Sequence, residues 1–223
     1  MMTRFKSTLI LLVLIHAVTL SQTKDFGIWY GANADIQLTN FLDFNLGATI
    51  RTFEKAGKVE EGFGEAGLTL KVIKGLSVAA AYRMTSRLED DNRYYPRHKW
   101  FADIKGSFQL AKFDLSGRFR LQRQNKTYWE DANDEIPDYY GRIKLKAEYR
   151  TKSFPVNPYV SYETFARMFE ITDKRFEKFR YSAGIDYKLN KRHSFELEYI
   201  FQRDHAPRLA DMNIISIGYN IKL

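Results

Sequence analysis

The sequence ends with the stretch NIISIGYNIKL, residues 213–223, in which apolar and polar residues alternate. Every second residue from Ile215 to Leu223 is apolar, and the residues between them are serine, glycine, asparagine and lysine. A period of two is typical of a β-strand with one apolar face and one polar face. Outer-membrane barrels close on such a strand, usually with an aromatic last residue, and the alternate positions Tyr219, Ile221 and Leu223 have this spacing. The stretch therefore predicts the closing strand of a membrane barrel, with leucine in place of the usual aromatic residue.

The same alternation recurs throughout the chain. In DLSGRFRLQ, residues 114–122, Leu115, Phe119 and Leu121 share one face, and arginine, aspartate, serine and glutamine occupy the other. We find eleven alternating segments, whereas bacterial single-chain barrels have even strand numbers. We therefore predict an all-β, antiparallel transmembrane β-barrel of about 10–12 strands and do not decide between an odd and an even number. The alternating segments are 28–38, 42–50, 66–72, 76–84, 102–110, 113–121, 141–149, 160–168, 179–187, 195–201 and 215–223.

The connections between these segments alternate in length. Short turns on one side and longer loops on the other are typical of outer-membrane barrels, whose short turns are periplasmic and whose longer loops are extracellular. The C-terminus falls on the short-turn side. Short connections follow Leu38, Val72, Leu110, Tyr149 and Leu189, and longer polar connections are predicted at 54–62, 88–99, 125–138, 170–177 and 204–211.

The first residues have the features of a secretory signal peptide. Arg4 and Lys6 precede an apolar run of about 12 residues, which is shorter than the ~20 residues that a transmembrane helix needs. We predict a signal peptide at 1–21 and a single barrel domain at 22–223. The first strand then begins on the outer side although it directly follows the signal peptide. Either the preceding residues thread through the barrel, or one strand is miscounted.

The polar face of the strands carries long charged side chains near the strand centres. In a membrane barrel this face lines a wet lumen and the apolar face meets lipid, whereas a soluble barrel has the opposite arrangement. Charges in a confined lumen are costly unless they are paired, so we predict a salt-bridged, plugged lumen, with an anion-favouring pore as the alternative. The candidate network comprises Arg118, Arg120, Arg142, Lys144, Lys146, Glu163, Arg167, Arg180, Asp186, Glu196 and Glu198.

Aromatic residues often stand near the ends of the predicted strands. Trp29, Tyr30, Trp100 and Tyr149 are examples. Such residues form girdles at the two membrane–water interfaces of outer-membrane barrels. We therefore predict that these side chains lie on the lipid-facing surface.

Two stretches carry a family resemblance: NPYVSYETF at residues 157–165, and FRYSAGIDYKLNKRHSFELEYIFQR at 179–203. They resemble a family of Bacteroidota and proteobacterial outer-membrane proteins known only as a domain of unknown function. The resemblance implies a small barrel with a Pro-Tyr strand that carries an inward glutamate, followed by a hairpin and a closing strand. It implies a location in the envelope and no catalytic residues.

The most direct functional interpretation is a non-enzymatic envelope structural or binding protein, or a narrow pore. One alternative is an outer-membrane lipid (acyl) hydrolase, for which Ser86, His98 and His205 are candidates, but no motif links them. The other alternative is a soluble periplasmic β-barrel binding protein. We predict no cofactor and no metal, because the acidic loop 125–138 has Ile136 where a calcium loop needs glycine.

Location and partners follow from these predictions. We expect a monomer in the bacterial outer membrane that contacts outer-membrane lipid and lipopolysaccharide, and that meets the barrel-assembly machinery during biogenesis. The formal net charge of +8 does not indicate nucleic-acid binding, because basic residues are interleaved with acidic ones along the strands. The absence of cysteine excludes disulfides and a lipid anchor on a cysteine.

Overall fold

The computed structural model describes residues 25–128, 136–150, 154–169, 176–204 and 211–223. Within these ranges, eleven strands form one closed barrel. None of the described residues belongs to a helix that is long and apolar enough to cross a bilayer. The strands are β1 (Asp25–Gln37), β2 (Leu42–Phe53), β3 (Lys58–Ile73), β4 (Leu76–Leu88), β5 (Tyr94–Leu110), β6 (Phe113–Lys126), β7 (Asp138–Tyr149), β8 (Val156–Arg167), β9 (Phe176–Lys188), β10 (His193–Asp204) and β11 (Met212–Lys222).

The barrel closes through a parallel pair of strands. Consecutive strands pair antiparallel, so an odd number of them leaves the first and the last pointing the same way. Strands β1 and β11 accordingly pair in parallel, from Asp25 opposite Met212 to Asp35 opposite Lys222. At the seam, the Leu223 backbone N–H donates to the Asp35 carbonyl at 2.8 Å. The predicted count of about 10–12 strands is confirmed, whereas the even parity of other bacterial barrels does not hold here.

The two ends of the barrel differ in their connections. The short-turn end carries the connections 38–41, 74–75, 111–112, 150–155 and 189–192, and the opposite, long-loop end carries 54–57, 89–93, 127–137, 168–175 and 205–211. Strand β1 starts at the long-loop end. The predicted signal peptide and the path that leads to β1 lie outside the described residues.

Two predicted loops at the long-loop end are wrong in extent. Residues 58–62 belong to β3 and residues 94–99 belong to β5, so the connections shrink to 54–57 and 89–93. The cause is electrostatic. The charged residues in these segments, among them Glu61 and Lys99, point inward and pair with other strands, which prolongs the barrel wall beyond its apolar band.

The short-turn end has one tight turn that needs glycine. Residues Lys74 and Gly75 connect β3 to β4, and Gly75 has a φ of 84°. The Ser107 N–H donates to the Gly75 carbonyl at 2.7 Å. A Cβ atom on Gly75 would lie 2.4 Å from the Ser107 carbonyl oxygen, so the turn and its neighbour meet only because no side chain is present.

The apolar residues of the strands form the outer face of the barrel. The outer face of β11 includes Ile217, 43% exposed, as the terminal alternation predicted. The opposite face is polar and points into the lumen. Large hydrophobic side chains exposed on the outside and charged side chains buried within are the arrangement of a membrane barrel. Other exposed outer residues include Leu46, Ile104, Phe108, Leu145, Val160 and Leu197.

Candidate functional site in the barrel lumen

Buried charged and polar side chains are concentrated in the half of the lumen that lies toward the long-loop end. Several charged side chains that point inward from the strands are almost inaccessible to water, with Glu61 only 1% and Glu163 only 4% exposed. In a wide channel these side chains would line water. Their burial shows that neighbouring side chains pack closely around them. Other buried polar residues are Thr85, Lys99, Arg120, Gln124, Arg142, Glu198 and Gln202.

Glu163 on β8 is one centre of this packing. Its carboxylate accepts hydrogen bonds from Arg118 at 2.7 Å and from Arg142 at 2.9 Å, and Arg180 lies 3.8 Å away. Register explains the cluster, because Arg118, Lys144, Glu163 and Arg180 are cross-strand partners in one row over β6 to β9. One buried carboxylate therefore balances three guanidinium groups that would otherwise repel one another.

Glu61 on β3 is a second, similar centre. Its carboxylate accepts a hydrogen bond from Arg51 at 2.5 Å and lies 3.5 Å from Arg87 and 3.7 Å from Lys99. These partners come from β2, β4 and β5. The two glutamates thus tie together basic side chains from both sides of the lumen.

Aromatic rings are interspersed with the arginines around the lumen. We call this set the arginine–aromatic girdle. The Arg51 guanidinium lies 4.0 Å from the Trp29 ring centroid, and Arg83 lies 3.9 Å from that of Phe63. In such a contact the negative face of the aromatic ring attracts the cation. The girdle comprises Trp29, Arg51, Phe63, Arg83, Phe101, Arg120, Arg142, Phe165 and Arg180, one from each strand from β1 to β9.

Trp29 corrects one prediction. It was expected in a lipid-facing aromatic girdle, but it is only 8% exposed and packs in the lumen against Ile200, Met212 and Ile214. Ile28 and Tyr30 lie on the apolar, outward face of β1. Trp29 stands between them in the sequence, so its side chain belongs to the polar, inward face. Phe63, Phe101 and Phe165 likewise stand at polar-face positions of their strands. These rings were not identified from the sequence, although their alternation with the charged residues was a signal that could have identified them.

The remaining predicted network residues have other partners. Lys146 pairs with Glu148 at 3.1 Å, and Arg167 pairs with Glu177 at 2.7 Å. Glu196 accepts a hydrogen bond from the Tyr159 hydroxyl at 2.6 Å. Tyr159 lies against β9 because Gly184 has no side chain, and a Cβ atom there would be 2.7 Å from the ring. In the described ranges, Asp186, Glu196 and Glu198 form no ion pair, although they share the lumen wall of β9 and β10.

A cavity of about 500 Å³ occupies the lumen toward the short-turn end. Its wall combines hydroxyl, amide, carboxylate and basic side chains. We call this cavity the basic vestibule. It is lined by Asp35, Asp43, Asn45, Thr69, Lys71, Ser77, Ala79, Asp103, Lys105, Ser116, Arg118, Lys144 and Lys146.

The residues considered for hydrolase chemistry do not form a site in the described part of the chain. Ser86 and His98 lie on the outer face of β4 and β5, and His98 Nδ1 contacts the Tyr82 hydroxyl at 2.6 Å. His205 and residues 129–135 of the acidic loop lie outside the described residues. Across the ranges that the structure describes, no group of histidine and acidic residues is arranged to hold a metal ion.

Comparison with solved structures places the fold among outer-membrane barrels. The NanC porin is 13% identical, with a TM-score of 0.56, and the match covers 89% of this chain and 99% of that chain. The β domain of the Bordetella autotransporter BrkA is 14% identical, with a TM-score of 0.49 and 82% of each chain covered. At such identities the likeness concerns the fold alone.

Comparison with sequences gives the family. A search of curated proteins found no significant match. A family model described as protein of unknown function, DUF2490, matches residues 26–213, which include nearly all of the barrel. The resemblance to an uncharacterised family of outer-membrane barrels is thereby confirmed. The chain belongs to the DUF2490 family of proteins of unknown function.

Proposed function

We propose that this protein is a non-enzymatic barrel of the bacterial outer membrane whose lumen is sealed against free diffusion, so that it serves as a structural or binding protein of the envelope. One observation carries the proposal: inward charged side chains at the level of the arginine–aromatic girdle are buried, including Arg120 at 7% and Arg142 at 9% exposure. A general diffusion pore of this fold would keep those side chains wet.

The outer surface supports the membrane location. Along β6 the outward residues from Phe113 to Leu121 are apolar or glycine, and Arg123 is the first outward charge toward the long-loop end. An uncharged band flanked by aromatic residues such as Trp100 and Tyr149 suits the lipid-facing wall of a barrel. By this proposal the short-turn end faces the periplasm, lipid and lipopolysaccharide surround the wall, and the barrel-assembly machinery inserts the chain.

Two measurements on the full-length protein test the proposal. Outer-membrane fractions of expressing cells are run on denaturing gels with and without boiling, since closed membrane barrels migrate faster unboiled. The purified barrel is then reconstituted into planar bilayers, where we expect no regular porin-sized conductance steps. Recovery in the aqueous periplasmic fraction without a gel shift would contradict the location, and large steady conductance steps would contradict the sealed lumen.

The hydrolase alternative has a direct test. Full-length protein mixed with phospholipid vesicles is expected to release no free fatty acid, because no hydrogen bond joins Ser86 to His98 in the described structure and His98 Nδ1 already contacts the Tyr82 hydroxyl. Fatty-acid release that disappears in the Ser86→Ala variant would overturn the proposal and identify an enzyme.

A further inference from the structure

The carboxylates of the basic vestibule are already engaged by neighbouring side chains. Asp35 accepts a hydrogen bond from Asn45 at 2.8 Å, and Asp43 pairs with Lys71 at 2.7 Å. Asp103 accepts two hydrogen bonds from Arg120, both at 2.7 Å. Every carboxylate that lines the cavity therefore has a partner.

The cations of the same cavity are only partly balanced. Arg118 is held by Glu163 and Lys146 by Glu148, both outside the cavity lining. Lys105 and Lys144 form no ion pair with any residue that the structure describes. Lys105 is exposed into the cavity and Lys144 is half-buried. Two ammonium groups thus remain available in the vestibule.

Register brings these two lysines to the same part of the wall. Lys105 on β5 is opposite Arg118 on β6, which is opposite Lys144 on β7. Cross-strand partners lie about 4.5–5.5 Å apart between their Cα atoms, and like charges at such positions destabilise a sheet. An anion placed between the two lysines would relieve this repulsion and would gain charge-assisted hydrogen bonds.

We propose that the basic vestibule is a binding site for a small multivalent oxyanion, carrying phosphate or carboxylate groups, which enters from the short-turn end. Lys105 and Lys144 supply the charge. Ser77 and Ser116 supply hydroxyl donors on the same wall, whereas the Thr69 hydroxyl already donates to Asn45 Oδ1 at 2.6 Å. The cavity volume of about 500 Å³ admits a molecule of several heavy atoms. Asp103 in the cavity wall accepts hydrogen bonds from the girdle residue Arg120, so the girdle adjoins the cavity on the side of the long-loop end.

The cavity continues toward the short-turn end of the barrel. A second space of about 510 Å³ shares Lys71, Ser77 and Lys105 with the vestibule and adds Lys74 from the β3–β4 turn. Basic residues thus extend from the rim to the two unpaired lysines. A basic approach of this kind attracts anions and raises their local concentration. The proposed site depends on the proposed function in one respect, namely that the arginine–aromatic girdle closes the inner end of the basic vestibule.

The test is calorimetric titration of the detergent-solubilised, full-length barrel with two probes, inorganic pyrophosphate and citrate, which distinguish phosphate from carboxylate ligands. The variant K105Q/K144Q removes the two unpaired ammonium groups. The matched control K112Q/K191Q removes the same charge from two short turns at the same end, outside the cavity lining. Faster migration of unboiled samples verifies that each variant is folded.

We expect the wild type and the control to bind at least one probe with the same affinity, and K105Q/K144Q to bind it at least about tenfold more weakly. The absence of binding of either probe to the wild type would overturn the site. An equal weakening in both double variants would also overturn it, because bulk charge would then suffice. A barrel that binds the anion yet shows porin-sized conductance would contradict the sealed lumen and leave the site intact.

Discussion

Replacing Glu163 by glutamine is the perturbation for which the structure gives the largest expected effect. The side chain keeps its shape but loses the charge that balances Arg118, Arg142 and Arg180. Glu163 is 4% exposed and Arg142 is 9% exposed, so water cannot replace the missing charge. Removing one partner of a buried ion pair costs about 3–5 kcal/mol, because it leaves uncompensated charge. A cost of that size lowers the folding equilibrium constant by about a hundredfold or more.

The matched control is Asp114→Asn. Asp114 pairs with Arg150 near the short-turn end, where the arginine side chain is 53% exposed. Exposed pairs contribute about 0–1 kcal/mol, so we expect the free energy of unfolding to change by no more than this amount. Denaturant unfolding of both variants in lipid vesicles, followed by gel mobility of the folded form, measures the difference. Equal small losses for the two variants would refute the assignment of Glu163 as a buried centre of charge balance.

Two further predictions follow from the packing of the lumen. Gly184→Val should lower the free energy of unfolding by about 1–3 kcal/mol, because the new side chain meets the Tyr159 ring. Gly106→Val is the control, since a Cβ atom there has no neighbour within 4 Å, and similar melting of both variants would contradict the close contact. Phe101→Ala removes a girdle ring that is 4% exposed and should produce or raise ionic conductance in planar bilayers. Phe108→Ala is the control, because Phe108 is 64% exposed on the outer face, and this variant should not raise ionic conductance. Equal conductance of the two variants would argue against the girdle as the seal.

The barrel itself was predictable from the sequence because its determinant is local. A strand at a lipid–lumen boundary places alternate residues in opposite environments, so its period of two is readable without knowledge of its neighbours. All eleven predicted strands exist, and the predicted closing strand 215–223 corresponds to β11 (Met212–Lys222), whose apolar face points outward. The ends of β3 and β5 that lie toward the long-loop end were missed from the sequence. In these segments the inward positions carry charged residues and the strand extends beyond the apolar band, so the segments were assigned to polar loops.

The pairings within the lumen were not predictable in the same way. The sequence gives the inward parity of Glu61 and Glu163 but not the register between strands, and register decides which three cations reach each carboxylate. The inward position of Trp29 was misjudged because aromatic residues were assigned by their place near strand ends rather than by parity. The parallel closure of β1 on β11 depends on the whole chain, and no short segment encodes it.

Two of the three tryptophans, Trp29 and Trp100, lie on opposite faces and allow the most direct test of the arrangement. Trp100 is 53% exposed on the outer face, and Trp29 is 8% exposed in the lumen. Variants that retain only one of them, with phenylalanine at the other tryptophan positions, are reconstituted into vesicles whose acyl chains carry bromine, a contact quencher of tryptophan fluorescence. We expect strong quenching of Trp100 and little quenching of Trp29. Strong quenching of Trp29 together with an unquenched Trp100 would mean that the faces are reversed, and it would contradict the membrane barrel with a packed, charged lumen.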